Sequence, residues 1–190
     1  MKLIIFFFVI ISGTVGQQEL SSYPEFVPME NFNFHELLGK WYEIKRIPNR
    51  LELNQTCSAL SITLNYVKTM TIDVPSLNSL TGFLNKWAAV GTPTRRGYPS
   101  EFNLKFPVLA LQRERTLTIL DTDYKNFQVA VMIETLDDSS FLEYIWILSR
   151  KTSLEQVYLD HAFNTLHMNN IDTDIFESVD QNNCPTISFE

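Results

Sequence analysis

Between residues 39 and 150 the chain runs in short stretches where apolar and polar positions alternate with a period of two, separated by turn residues. That pattern predicts an antiparallel sheet. Eight runs stand out: Gly39 to Arg46, Cys57 to Tyr66, Thr69 to Val74, Gly82 to Gly91, Glu101 to Phe106, Thr116 to Asp121, Phe127 to Ile133 and Leu142 to Arg150. Turns are expected at Pro75-Ser76, Thr92-Pro93, Gly97-Tyr98-Pro99 and Asp137-Asp138-Ser139-Ser140. In the second run Leu60, Ile62, Leu64 and Tyr66 share one face while Ser61, Thr63 and Asn65 share the other, as in a strand with one side buried and one wet.

The seventh run breaks this rule. Phe127, Val129, Val131 and Ile133 form an apolar face, and Gln128, Ala130 and Met132 oppose them, so both sides need cover. The period then lengthens: Tyr158, Ala162 and Leu166 fall at helical spacing, and Asn169-Asn170 ends the segment. Thr152-Ser153-Leu154-Glu155-Gln156 offers a capping box in either of two registers. A single helix through about His167 is predicted, lying over the Phe127 face from outside.

The head of the chain follows neither period. Met1-Lys2, the apolar run Leu3 to Ile11 and small residues up to Gly16 have the form of a secretory signal peptide, residues 1–16, with cleavage placed after Gly16. The run is shorter than the roughly 20 residues of a membrane helix. No later stretch is long enough, so no transmembrane segment is expected, and residues 17–190 are expected to form one extracellular domain. A formal net charge of −7 disfavours nucleic acid and anionic membrane surfaces as partners. Cys57 and Cys184, an even pair bound for an oxidising compartment, most simply form one disulfide. Asn54-Gln55-Thr56 is a glycosylation sequon, which places Asn54 at the surface if it is used.

Catalytic signals are missing. There is no nucleophile elbow, no phosphate loop and no His pair at metal spacing, so neither catalytic nor metal residues are assigned. His35 precedes the first strand, and His161 and His167 lie in the helix.

Three short motifs then converge: Gly39-Lys40-Trp41-Tyr42 in the first strand, Thr122-Asp123-Tyr124 before the seventh, and Arg150 closing the eighth. In this order the chain resembles the lipocalins, and within them the apolipoprotein D and insect bilin-binding (Lazarillo-like) branch. Asn31-Phe32, Glu43-Ile44, Ile47-Pro48, Asn126, Asn169-Asn170-Ile171-Asp172 and Asp180-Gln181-Asn182-Asn183-Cys184-Pro185 extend the likeness over nearly all the mature chain. The resemblance implies an all-β fold: an eight-stranded up-and-down antiparallel β-barrel with one C-terminal α-helix packed outside. Trp41 would fill its floor beneath Arg150, a cation–π contact of about 1 to 2 kcal/mol, with residues 122–124 turning at the same end. It also implies that Cys57 and Cys184 form the family's structural bond. One feature departs from the branch: where most relatives carry a second disulfide this chain has Tyr23 and Ile133, which suggests a looser N-terminal segment.

Parity counted from Trp41 puts Glu43 and Lys45 inside, together with Leu60, Ile62, Met70, Ile72, Trp87, Ala89, Phe102, Leu104, Phe106, Leu117, Ile119, Gln128, Ala130, Met132, Tyr144 and Trp146. Small residues at Ala89, Gly91 and Ala130 leave room among the large ones. Tyr66, Gln128, Tyr144 and the Glu43/Lys45 pair would be the polar handles, with Leu51 and Leu53 at the mouth. The expected function is a secreted carrier of a small hydrophobic molecule, with a bilin, fatty acid or steroid as cargo and no cofactor required. A cell-surface receptor or lipoprotein is a further candidate partner, and the oligomeric state is not legible. Two other readings are an interaction module acting through the mouth loops around Leu51, Leu53 and Arg95-Arg96-Gly97-Tyr98, and a secreted lipid-modifying enzyme. The enzyme reading is opposed by the disulfide, which leaves no thiol nucleophile, and haem is opposed by the absence of a His on any strand.

Overall fold

The structure, a computed structural model, describes residues 19–65, 69–107, 113–137 and 139–186. The expected signal peptide and Tyr66 lie outside these residues. Among them the barrel is built by eight antiparallel strands: β2 (Gly39–Arg46), β4 (Ala59–Leu64), β5 (Met70–Asn78), β6 (Leu84–Pro93), β7 (Glu101–Lys105), β8 (Arg115–Thr122), β9 (Phe127–Thr135) and β10 (Phe141–Ser149). Each pairs with the next, and β10 pairs back onto β2 to close the ring. Three two-residue strands decorate it: β1 (Glu19–Leu20) beside β10, β3 (Gln55–Thr56) beside β5, and β11 (Glu177–Ser178) beside β2.

Two expected turns are strand. Pro75 and Ser76 lie within β5, opposite Lys86 and Asn85. The reversal comes later, where the Asn78 side chain accepts from the backbone of Leu80 and Thr81 and Gly82 takes φ +71°. An Asn side chain can thus set a turn that a Pro does not force. Thr92-Pro93 likewise continues β6, with Pro93 opposite Phe102, and the chain turns around Gly97.

The helix α2 (Gln156–Met168) packs on β9, and Phe127, Val129, Val131 and Ile133 form the outer core with Ala162 and Leu166, as the two-sided run requires. Its expected capping box is not made. Glu155 is the N-cap and its side chain makes no capping bond, while Ser149 Oγ donates to the Ser153 carbonyl instead. A short helix, α1 (Phe34–Leu37), which alternation could not announce, plugs the floor and supplies buried Leu37. Asn33 caps it, accepting from His35 N.

The disulfide joins Cys57 to Cys184 across 127 positions. It fastens the tail along the upper half of β2, where Glu177 and Ser178 pair with Arg46 and Lys45, Val179 N donates to the Ile44 carbonyl and Cys57 N to the Asp180 carbonyl. At the other end Tyr23 and Ile133, the positions without a second disulfide, meet in the outer core. Tyr23 stacks edge-on against Phe141 at 5.5 Å, and Met29 N donates to the Ile119 carbonyl, so packing and backbone bonds hold the N-terminal segment.

Candidate ligand-binding calyx

The closed end is built around Trp41, which is fully buried, donates from Nε1 to the Leu37 carbonyl and carries the Arg150 guanidinium 3.7 Å above its ring centre. Gly39 has φ +100°, and a Cβ there would meet Arg150 Nη1 at 3.4 Å, which accounts for a glycine two positions before the Trp. Thr122-Asp123-Tyr124 forms the neighbouring turn. Asp123 Oδ1 accepts from the backbone of Lys125, Asn126 and Phe127, and Tyr124 takes φ +64°. Burial works against the Asp123 carboxylate, but these bonds and the Asn126 amide outweigh it and hold its pKa below 3.8.

Above the floor lies a cavity of about 70 Å³. Of the residues that parity puts inside, Leu60, Ile62, Ile72, Trp87, Leu104, Phe106, Leu117, Gln128, Met132 and Trp146 line it. Others, with Ile119, are inward but packed away from it. Phe102 sits against Phe32 and Phe34 at the closed end, Met70 is buried in the core, and Tyr144 donates to Glu134 Oε2. Ala89 and Ala130 line the space as expected, whereas the room at Gly91 is taken by the Met70 side chain, whose Cε occupies the place of a Cβ. The volume is small beside the roughly 300 to 1,000 Å³ of ordinary small-molecule clefts. Trp87 and Phe106, stacked 5.4 Å apart, form part of its wall.

The polar lining differs from expectation. Lys45 does not point inside. Between Ile147 and Leu148 the β10–β2 register shifts, so Glu43 stands opposite Leu148 but Lys45 opposite the outer-core residue Ile147. Such a bulge turns every later side chain to the other face. Arg46, opposite cavity-lining Trp146, therefore takes the inward place, while Lys45 donates to Ser178 Oγ.

Glu52, read only as part of a loop, folds inward and lines the cavity with Glu43. Its carboxylate accepts from Asn49 Nδ2 and from Trp146 Nε1 at 3.0 Å. Arg46 contacts Glu43 at 3.4 Å and Glu177 at 2.7 Å and donates to the Gln55 carbonyl. Burial, with the neighbouring Glu52, pushes Glu43 well above the usual carboxylate range against the pull of Arg46. Burial also raises Glu52, opposed by its bonds to Asn49 and Trp146. The alternating pattern signals Glu43 but nothing in it signals Glu52, which a loop delivers.

The expected rim is half right. The loop holding Leu51 and Leu53 is at the mouth, and Asn54 in it is exposed. Arg95-Arg96-Gly97-Tyr98 is at the opposite, closed end, because Met70 pairs with Gly91 and Pro93 with Phe102, bringing that loop to the floor. His161 bonds Asp121 Oδ2 and His167 bonds Thr173 Oγ1, both outside the barrel.

A closed eight-stranded up-and-down barrel with an apolar interior, a Trp–Arg floor and an outer helix is the architecture of the lipocalins. The family model described as Lipocalin-like domain matches residues 32–181, and the chain belongs to that family, whose members bind small hydrophobic ligands. It is 29% identical to apolipoprotein D of Oryctolagus cuniculus over 93% of this chain and 92% of the relative. To the bilin-binding protein of Pieris brassicae it is 24% identical over 69% of this chain and 68% of that protein. Among solved structures, insecticyanin from the tobacco hornworm Manduca sexta superposes with a TM-score of 0.73 at 20% identity, covering 87% of this chain and 89% of that one. Apocrustacyanin C1 gives 0.68 at 22% identity, over 80% and 82% respectively.

Proposed function

We propose that this protein is a secreted carrier that holds a small hydrophobic molecule in its calyx. The observation that carries the reading is the cavity inside the closed barrel, walled by Leu60, Ile62, Leu104, Leu117 and Met132 and broken by few polar groups. Burial at about 25 cal/mol per Å² supplies affinity without bond chemistry. The small volume favours a slender lipid over a bilin or steroid. Secretion is supported by the apolar run after Met1-Lys2 and by the disulfide, and exposed Asn54 is the proposed glycosylation site. Among the described residues no helix is long and apolar enough to cross a membrane. The proposed role is binding, not catalysis, with no cofactor beyond the cargo. Titration of the purified protein with fatty acids, steroids, retinoids and bilins, followed by Trp146 and Trp87 fluorescence, is the test. Saturable quenching by a member of the set supports the carrier, and no quenching by any of them rejects it.

A second reading has its own observation. Leu53, Leu80 and Phe83 are exposed around the mouth, an apolar rim suited to a receptor or lipoprotein surface. It is compatible with carriage and would deliver the cargo.

A further inference from the structure

The calyx wall holds a buried acceptor without a donor. Gln128 lies on β9 beside Leu148, which lies beside Glu43 on β2, so the three form one cross-strand row facing inward. Gln128 is 2% exposed and lines the cavity, yet among the described residues its Oε1 has no hydrogen-bond partner. A buried amide oxygen left without a donor costs about 1 to 3 kcal/mol. The two other polar side chains on the cavity wall, Glu43 and Glu52, are carboxyl groups. Arg46, which contacts Glu43 at 3.4 Å and Glu177 at 2.7 Å, is already engaged by these carboxyl groups. What Gln128 Oε1 lacks is a donor.

We propose that the calyx wall at Gln128 recognises a hydrogen-bond donor, so that the cargo is a slender apolar molecule headed by a hydroxyl or an amine and not by a carboxylate. The proposal rests on the carrier reading and sharpens it. An anionic head, which offers only acceptors, would meet the lone pairs of Gln128 Oε1 and leave it unpaired. The inward cation elsewhere in the barrel, Arg115, is not among the residues lining the cavity: its Nη2 is 2.9 Å from Glu134 and its guanidinium lies over Phe106, while its Nε has no hydrogen-bond partner among the described residues. A hydroxyl or ammonium, by contrast, gives Gln128 Oε1 its missing partner.

An eight-carbon series separates these outcomes. Octan-1-ol, octylamine and octanoate are titrated by calorimetry into the disulfide-intact protein at pH 7.4, with Trp fluorescence as a second readout. Tighter binding of octanol and octylamine than of octanoate, by about tenfold, is expected, which needs no variant and so no assumption about folding. Gln128→Leu should weaken octanol about fivefold and leave octanoate unchanged, in line with one lost hydrogen bond. Octylamine ahead of octanol, with the advantage removed by Glu52→Gln, identifies a cationic head. Equal affinity of the two, unchanged by Glu52→Gln, identifies a neutral one. Octanoate binding as well as or better than both overturns the donor site while leaving the carrier reading intact. Binding by none of the three rejects the carrier reading and this inference with it.

Discussion

Arg150 reaches Trp41 from the far end of the barrel's last strand, with its guanidinium carbon 3.7 Å from the indole centre. The same group donates to the carbonyls of Glu36, Leu37, Lys40 and Tyr124, so one side chain ties α1, the start of β2 and the 123–126 turn to the strand it terminates. Arg150→Ala should destabilise the fold by about 2 to 4 kcal/mol, combining the cation–π contact with charge-assisted hydrogen bonds. Arg150→Lys should recover less than half, because an ammonium cannot fork to these carbonyls. Urea midpoints of the two variants decide it, and an unchanged midpoint for Arg150→Ala would remove the floor plug as a source of stability.

The disulfide closes 127 residues. Replacing both cysteines with Ser should cost about 3 to 5 kcal/mol on the chain-entropy account. Urea unfolding of the double variant beside the oxidised protein measures this, and a loss below about 1 kcal/mol would contradict it.

Stability should fall as pH rises through neutrality. Burial pushes Glu143 up to about 7 and Glu43 in the same direction, so the folded chain binds these protons more tightly than the unfolded chain does. Their contribution is complete below the ordinary carboxylate pKa of about 4.3 and is lost as pH climbs through the raised values. Asp123 works in the opposite sense: its lowered pKa contributes stability above 3.8 that disappears on acidification. Glu143→Gln should therefore flatten the slope between about pH 4.5 and 7 and raise the melting temperature at pH 8, by about 2 to 4 °C for each kcal/mol recovered. Thermal scans across this range suffice; a wild-type slope of the opposite sign rules out the assignment.

Phe106→Ala should enlarge the calyx at modest cost. Phe106 is half-buried and stacks on Trp87, so truncation costs less than the roughly 3 to 5 kcal/mol of a fully buried Phe. A steroid or bilin that the wild type binds weakly should gain about tenfold in affinity, equivalent to about 1.4 kcal/mol. Equal affinity in the two proteins would mean that this stacked pair does not limit the cargo.

Alternation exposed the barrel well where inner residues see apolar neighbours and outer residues see water, as at Ile62 and Thr63. It placed Gln128 and Trp146 on the cavity wall for the same reason. It failed where neighbouring strands decide. Lys45 and Arg46 exchange faces because of a register shift visible only in the β10–β2 pairing. Arg95 to Tyr98 went to the wrong end because direction around the barrel depends on which strands pair. Glu52 escaped notice because a loop residue has no period, and only folding brings it under Trp146.

The tail adds a consequence of its own. Beside the upper half of β2 the wall is not completed by β4, which begins only at Ala59, but by β11, a stave from the far end of the chain. From that stave Glu177 balances Arg46, and a little further on Gln181 grips the carbonyls of Glu43 and Ser58. The rivet at Cys184 thus secures more than a loose end: it anchors the segment that completes this side of the vessel and brings Arg46 its partner Glu177.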